Sequence, residues 1–248
     1  MSNEKHISNE NKYNNYKYLP EKILEDLLDK YGNLEACKSD IWDSFVIIRD
    51  CFASGGKLLL CGNGGSAADC EHIVGELMKS FLLERPLEEV ESQKIKAYFP
   101  DEWEYLSRYL QKALPAISLV SLISLSTAYT NDVNPDMLFA QQVYGYGKEG
   151  DVLLGISTSG NSKNVINALK IARVFGLKTI GLTGKDGGKM KDICDVTIIA
   201  PASSTHEVQE LHLPIYHALC AMLEAHFSRF TTHCIRRDGS CASSTQSR

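Results

Sequence analysis

His72 and Glu76 stand four residues apart, a spacing that projects both from one face if the segment is helical. Far along the chain a second histidine, His217, follows Gln209 and Glu210 in a run otherwise filled largely by Val, Leu, Ile, Tyr and Ala. An imidazole and a carboxylate can pass protons near neutral pH, and two imidazoles with a carboxylate also suit zinc or another divalent ion. A lone helical histidine is commonly no more than a surface or core residue. The combination of Glu76 with His217 is what points to chemistry.

Two loops offer a different kind of group. Gly62-Asn63-Gly64-Gly65-Ser66 follows an apolar run and opens a helical pattern. Glycines such as Gly64 and Gly65 let the backbone approach an anion, and a helix start presents unpaired N–H donors. Ser157-Thr158-Ser159-Gly160-Asn161-Ser162 repeats the arrangement with four hydroxyls, more than a helix cap needs. Both loops read as phosphate sites. A third, Thr183-Gly184-Lys185-Asp186-Gly187-Gly188, is equally a plain turn or a further contact through Thr183. Gly62, Gly64 and Ala67 formally satisfy the dinucleotide fingerprint, which also requires a second strand ending in an acidic residue about 20 residues later. Helical and charged sequence occupies that place, so no nucleotide cofactor is expected.

These groups need elements to hold them. Apolar runs at 57–61, 116–120, 152–156, 179–182 and 196–199 are nearly continuous, as in strands buried on both faces. Helical patterns lie at 66–83, 135–146, 162–175 and 206–230, with two more, 23–30 and 38–53, ahead of the first strand. The alternation predicts an α/β fold, a doubly wound five-stranded parallel sheet with ligands at the carboxyl ends of its strands. Residues 84–114 read as a charged helical insert, with Trp103, Tyr105, Leu106, Tyr109 and Leu110 on one face, placed to cover the site. Residues 19–230 form the domain, 1–18 a flexible leader and 231–248 a disordered tail. In that tail Cys234, Cys241 and His233 suggest a metal clip only weakly.

Composition narrows the classes further. The chain has 248 residues, and 31 acidic against 26 basic side chains leave a net charge of −5, so nothing draws it generally to nucleic acid or an anionic membrane. With neither a signal-peptide core nor a membrane-length apolar run, a cytoplasmic protein is expected. Eight cysteines without a CxxC pair read as reduced core thiols. Lys79 and Arg85 either add charge to the site or are solvated helix-end cations.

The three loops, with the run Gly150-Asp151-Val152-Leu153-Leu154-Gly155-Ile156 leading into the second, resemble the sugar isomerase (SIS) fold, specifically the phosphoheptose isomerases. The resemblance spans roughly residues 41–227 and implies conversion of sedoheptulose 7-phosphate to glycero-manno-heptose 7-phosphate in a homotetramer with sites at subunit junctions. It matches Glu76 and His217 to the family's catalytic pair, and His72, Glu76, Gln209 and His217 to residues that hold zinc in some members. It assigns Asn63, Ser66, Ser157, Thr158, Ser159 and Ser162 to the phosphate and adjacent hydroxyls. Asn131 and Asp132 resemble a pair facing the sugar, with an Asx turn as the equal alternative. Two other readings are a non-catalytic sugar-phosphate-binding regulator, which would lack the glutamate and histidine present here, and an isomerase of another ketose phosphate.

Overall fold

The computed structural model describes residues 19–232. Two helices, α1 (Pro20–Lys30) and α2 (Lys38–Ala53), precede β1 (Leu58–Gly62), and α3 (Gly65–Met78) follows it. The insert contains α4 (Glu89–Tyr98) and α5 (Trp103–Tyr109) and leads into β2 (Ala116–Ser118), α6 (Ile123–Asp132) and α7 (Leu138–Tyr146). Then come β3 (Val152–Ile156), α8 (Lys163–Val174), β4 (Lys178–Thr183), β5 (Val196–Ile199) and α9 (Thr205–Thr232). The five strands are all parallel, in the order β2-β1-β3-β4-β5. This is the predicted doubly wound sheet.

The continuous apolar strands are explained by two cores. Leu58, Leu60, Val152, Leu154, Ile180 and Leu182 pack with α1, α2, α3 and α9 on one face, while Leu59, Cys61 and Leu153 pack with α7 and α8 on the other. A strand covered on both sides cannot alternate apolar with polar residues. Cys37, Cys51, Cys61, Cys70 and Cys220 are buried free thiols and Cys194 is half-buried, as expected of core thiols. Burial pushes the Cys37 and Cys51 thiols up to about 11.

Several elements differ from expectation. The helix begun at Gly65 ends at Met78 rather than Leu83, because the chain beyond it is drawn aside into hydrogen bonds with Arg85 and Glu224. The sequence 123–132, rich in Ser, Thr and Asn, forms a helix with no buried residue, so no apolar stripe marked it. The insert is helical but buries none of its α4 or α5 residues. It is rooted by the Pro86–Gln111 bridge and the Lys112 N–H to the Arg85 carbonyl, between the end of α3 and the start of β2. That is the amino edge of the sheet, opposite the two phosphate loops, so the insert does not cover them. The leader 1–18, the tail from 233 and the cluster of His233, Cys234 and Cys241 lie outside the described residues. Among the described residues no helix is long and apolar enough to cross a membrane.

One polar contact ties α9 to the sheet. His212 is fully buried and its Nε2–H donates to the Thr183 carbonyl at 3.1 Å, leaving Nδ1 without a partner. Burial pulls its pKa down to about 4. The unfolded chain therefore takes up a proton near pH 6.5 that the folded chain refuses. Stability should be complete above about pH 6.5 and fall as the pH drops towards 4, by about 3 kcal/mol in all. Urea denaturation of wild type and His212→Gln across that range checks this. The variant should lose that part of the pH dependence; an unchanged slope would show that His212 is not its source.

Candidate functional site

The strand order reverses between β1 and β3, and in open α/β sheets that switch point is where ligands bind. The loops after those strands meet there. Asn63 and Asn164 exchange two amide hydrogen bonds of 2.9 Å across the gap, fixing the first loop to the start of α8. Gly64 has φ +56°, which favours glycine, and no side chain caps α3. Ser162, at the cap position of α8, makes no capping bond; its hydroxyl instead pairs with the Ser157 hydroxyl at 2.9 Å. Ser66 and Ala67 N–H donate to the Asn63 and Gly64 carbonyls and Val165 N–H to Asn164 Oδ1, which leaves the foremost N–H groups of each helix as donors of the kind that bind phosphate. Thr158 and Ser159 are half-buried beside them, whereas Ser66 and Ser157 are buried.

The third loop acts as a buttress. Lys189 N–H donates to Asn161 Oδ1, Met190 N–H donates to the Gly160 carbonyl, and Gly160 itself, at φ +63°, lies against Gly187. A Cβ on Gly160 would stand 1.9 Å from the Gly187 carbonyl oxygen. Thr183 offers no hydroxyl to a ligand: it is fully buried and bonds the Ile198 carbonyl. Its burial, at the last position of a central strand, corrects the expectation that it contacts substrate.

Further along α3 the proton-carrying groups come together. His72 Nε2 lies 3.2 Å from Glu76 Oε1 and 3.5 Å from His217 Nε2 on α9. The Tyr216 hydroxyl meets His72 Nδ1 at 3.0 Å, and the Phe81 ring packs on His217 with centroids 5.6 Å apart. Glu76 is largely buried, and its Oε2 has no hydrogen-bond partner. Burial, aided by the neighbouring His72, lowers the His217 pKa and favours the neutral ring. A groove of about 300 Å³ lined by Leu27, Phe81, Leu213 and Pro214 opens beside His217.

Other expected groups lie apart. Gln209 rests on Gly65, where a Cβ would come within 2.3 Å of its Nε2. It therefore stands at the start of α3, two turns before His72. Asn131 and Asp132 are exposed at the end of α6 and bond each other at 2.8 Å. Lys79 is exposed, with Nζ 3.9 Å from Glu76, whereas Arg85 is buried and paired with Glu224, neither solvated nor beside the phosphate loops. Sequence reasoning missed Tyr216, Phe81, Asn164 and Glu224. Their only signal was position: Tyr216 adjoins His217, and Asn164 follows the Ser-rich loop.

A five-stranded parallel sheet with paired phosphate-type loops at its switch point fits a SIS-domain protein, and a SIS domain family model matches residues 104–184. The chain belongs to the phosphoheptose isomerase family. It is 40% identical over 211 residues to the phosphoheptose isomerase of a Nitratiruptor species, covering 84% of this chain and 99% of that protein. It is 43% identical over 178 residues to that of Clostridium acetobutylicum, covering 72% and 78%. The solved phosphoheptose isomerase from Neisseria gonorrhoeae matches with a TM-score of 0.63 and 32% identity, over 81% of this chain and 94% of that one.

Gly160 provides a test of the buttressed loop. Gly160→Ala adds both a left-handed strain of about 1–3 kcal/mol and a collision with Gly187. Gly55→Ala, at φ +79° in open space, adds only the strain. Urea denaturation should show the larger loss at Gly160, accompanied by weaker phosphate binding in calorimetry. Equal losses would mean that the loop contact is slack.

Proposed function

We propose that the protein interconverts sedoheptulose 7-phosphate and D-glycero-D-manno-heptose 7-phosphate through an enediol. The placing of His72 3.2 Å from Glu76 and 3.5 Å from His217 is the observation that supports this reading. The N–H groups and hydroxyls at the switch point hold the phosphate. Glu76 takes a proton from C1 while the C2 oxygen gains one, giving the enediol; Glu76 then returns a proton to C2 as the C1 hydroxyl loses its own. The neutral His217 ring can carry the oxygen-bound proton in both steps. A regulator would have no use for such a pair.

The donor types also suit zinc: two imidazoles and one carboxylate are a catalytic donor set. Zinc would polarise the substrate carbonyl. His72, Glu76 and His217 would hold it, with Gln209, on α9 against Gly65, as the fourth donor expected from the resemblance. Among the described residues no group of three or more His, Cys, Asp or Glu side chains is arranged to hold a metal ion. Glu76→Gln keeps the size and removes the base. Turnover should fall by about 10²-fold or more, with sugar-phosphate binding retained in calorimetry and less zinc found by elemental analysis. Turnover above about a tenth of wild type would overturn the role of Glu76.

We also read the active form as a homo-oligomer, a tetramer by family resemblance. Ser66 and Glu76 are ten residues apart, about 15 Å along α3. A second copy placed against the groove beside His217 would bring phosphate loops and proton carriers closer together. The exposed Leu82, Leu213 and Ile123 support such a contact. Light scattering should give a multiple of 27.5 kDa, and a monomer at micromolar concentration would contradict it.

A further inference from the structure

Behind the proton carriers lies a buried ion pair. Arg85, 4% exposed, places Nε 3.2 Å from Glu224 Oε1, and Glu224 is 1% exposed. The Arg85 Nη2 donates to the carbonyls of Glu76 at 3.3 Å and Leu77 at 2.9 Å, and also to that of Lys79. Glu224 in turn accepts the N–H groups of Phe81 at 2.8 Å, Leu82 at 2.6 Å and Leu83 at 2.9 Å. A buried pair is a poor source of net stability, because removing two charges from water costs much of what their attraction returns. Here its hydrogen bonds reach Glu76 directly and His217 through Phe81. One arm holds the backbone of Glu76. The other holds Phe81, whose ring lies on His217, and Glu224 itself is on α9 two turns beyond His217.

We infer that Arg85 and Glu224 are positioning residues for the isomerisation, setting the separation of Glu76 and His217 by locking the end of α3 and the turn that follows it to α9. The inference rests on Glu76 and His217 acting as the proton carriers. Neither Arg85 nor Glu224 touches substrate. A displacement of about 1 Å between catalytic groups costs of the order of 10²-fold in rate, so the pair governs kcat and leaves KM, set by the distant phosphate loops, nearly unchanged.

Glu224→Gln keeps the shape and removes the charge, while Arg85→Lys keeps the charge and removes the planar fork that grips three carbonyls. Both are assayed on sedoheptulose 7-phosphate well below their melting temperatures, beside wild type. A kcat lowered about 10- to 100-fold with KM within about threefold of wild type is expected for each. In the same samples the ring NMR cross-peaks of His72 and His217 should move. A pair that only stabilises would lower Tm and leave kcat and the cross-peaks as in wild type, and that result overturns the inference. If wild type lacks turnover, the isomerase reading fails on its own, and the cross-peaks still decide whether the pair positions these rings. Should both variants fail to fold, Phe81→Ala, at a half-buried residue, decides: a moved cross-peak of His72, on which the lost ring does not pack, together with a lowered kcat supports the inference, and wild-type values of both overturn it.

Discussion

The parallel pairing of β1 with β3, in register from Leu58 opposite Val152 to Gly62 opposite Ile156, sets the position of every phosphate-binding group. Because the two strands are neighbours without being consecutive, their following helices leave the sheet on opposite faces and a crevice opens between their starts. The Asn63–Asn164 amide pair spans that crevice. Neither loop could be placed by its own strand alone. Each takes its position from the register of the other, and the apolar runs that make both strands indifferent to which face they show also make them suitable for the centre of the sheet.

A second geometric constraint follows from the first. With α3 leaving β1 at the carboxyl edge and α9 starting just beyond β5 at the same edge, the two helices run side by side in the same direction. Gln209 consequently meets Gly65 near their starts, and His217 meets His72 two turns later. Equal rise per residue keeps the two contacts in step. The histidines, seven residues from Gly65 and eight from Gln209, are brought together by this shared repeat.

Much of this was legible in the sequence. Continuous apolar runs marked the five strands, and the glycine and serine loops after the first and third declared where an anion would sit. Glu76 and His217 were legible as candidates for proton transfer, Glu76 by its four-residue spacing from His72, His217 by its apolar helix, and both by the family resemblance. What remained hidden depended on three-dimensional distance. Thr183 reads as a loop hydroxyl, but one more strand residue places it inside the sheet. Gln209 shares a helix with His217, yet the eight residues between them set it against Gly65 at the start of α3. Arg85 reads as either a site charge or a solvated cation because nothing local signals Glu224, 139 positions later, which pairs with it in the core. Long-range ion pairs leave no periodic trace.

The first turns of α3 and α8 open on one crevice, spanned by the Asn63–Asn164 pair. Gly64 and Ser162 supply no side-chain cap, and in these first turns a side chain, that of Asn164, takes the Val165 N–H. A bound phosphate would take the place of both caps at once, so occupancy and folding become linked equilibria. At a ligand concentration a hundred times its Kd, the native state gains about 2.7 kcal/mol over the unfolded chain. The amount of folded protein would then depend on its own substrate: a cell rich in sugar phosphate would keep more of it intact, and a starved cell would expose it to its proteases.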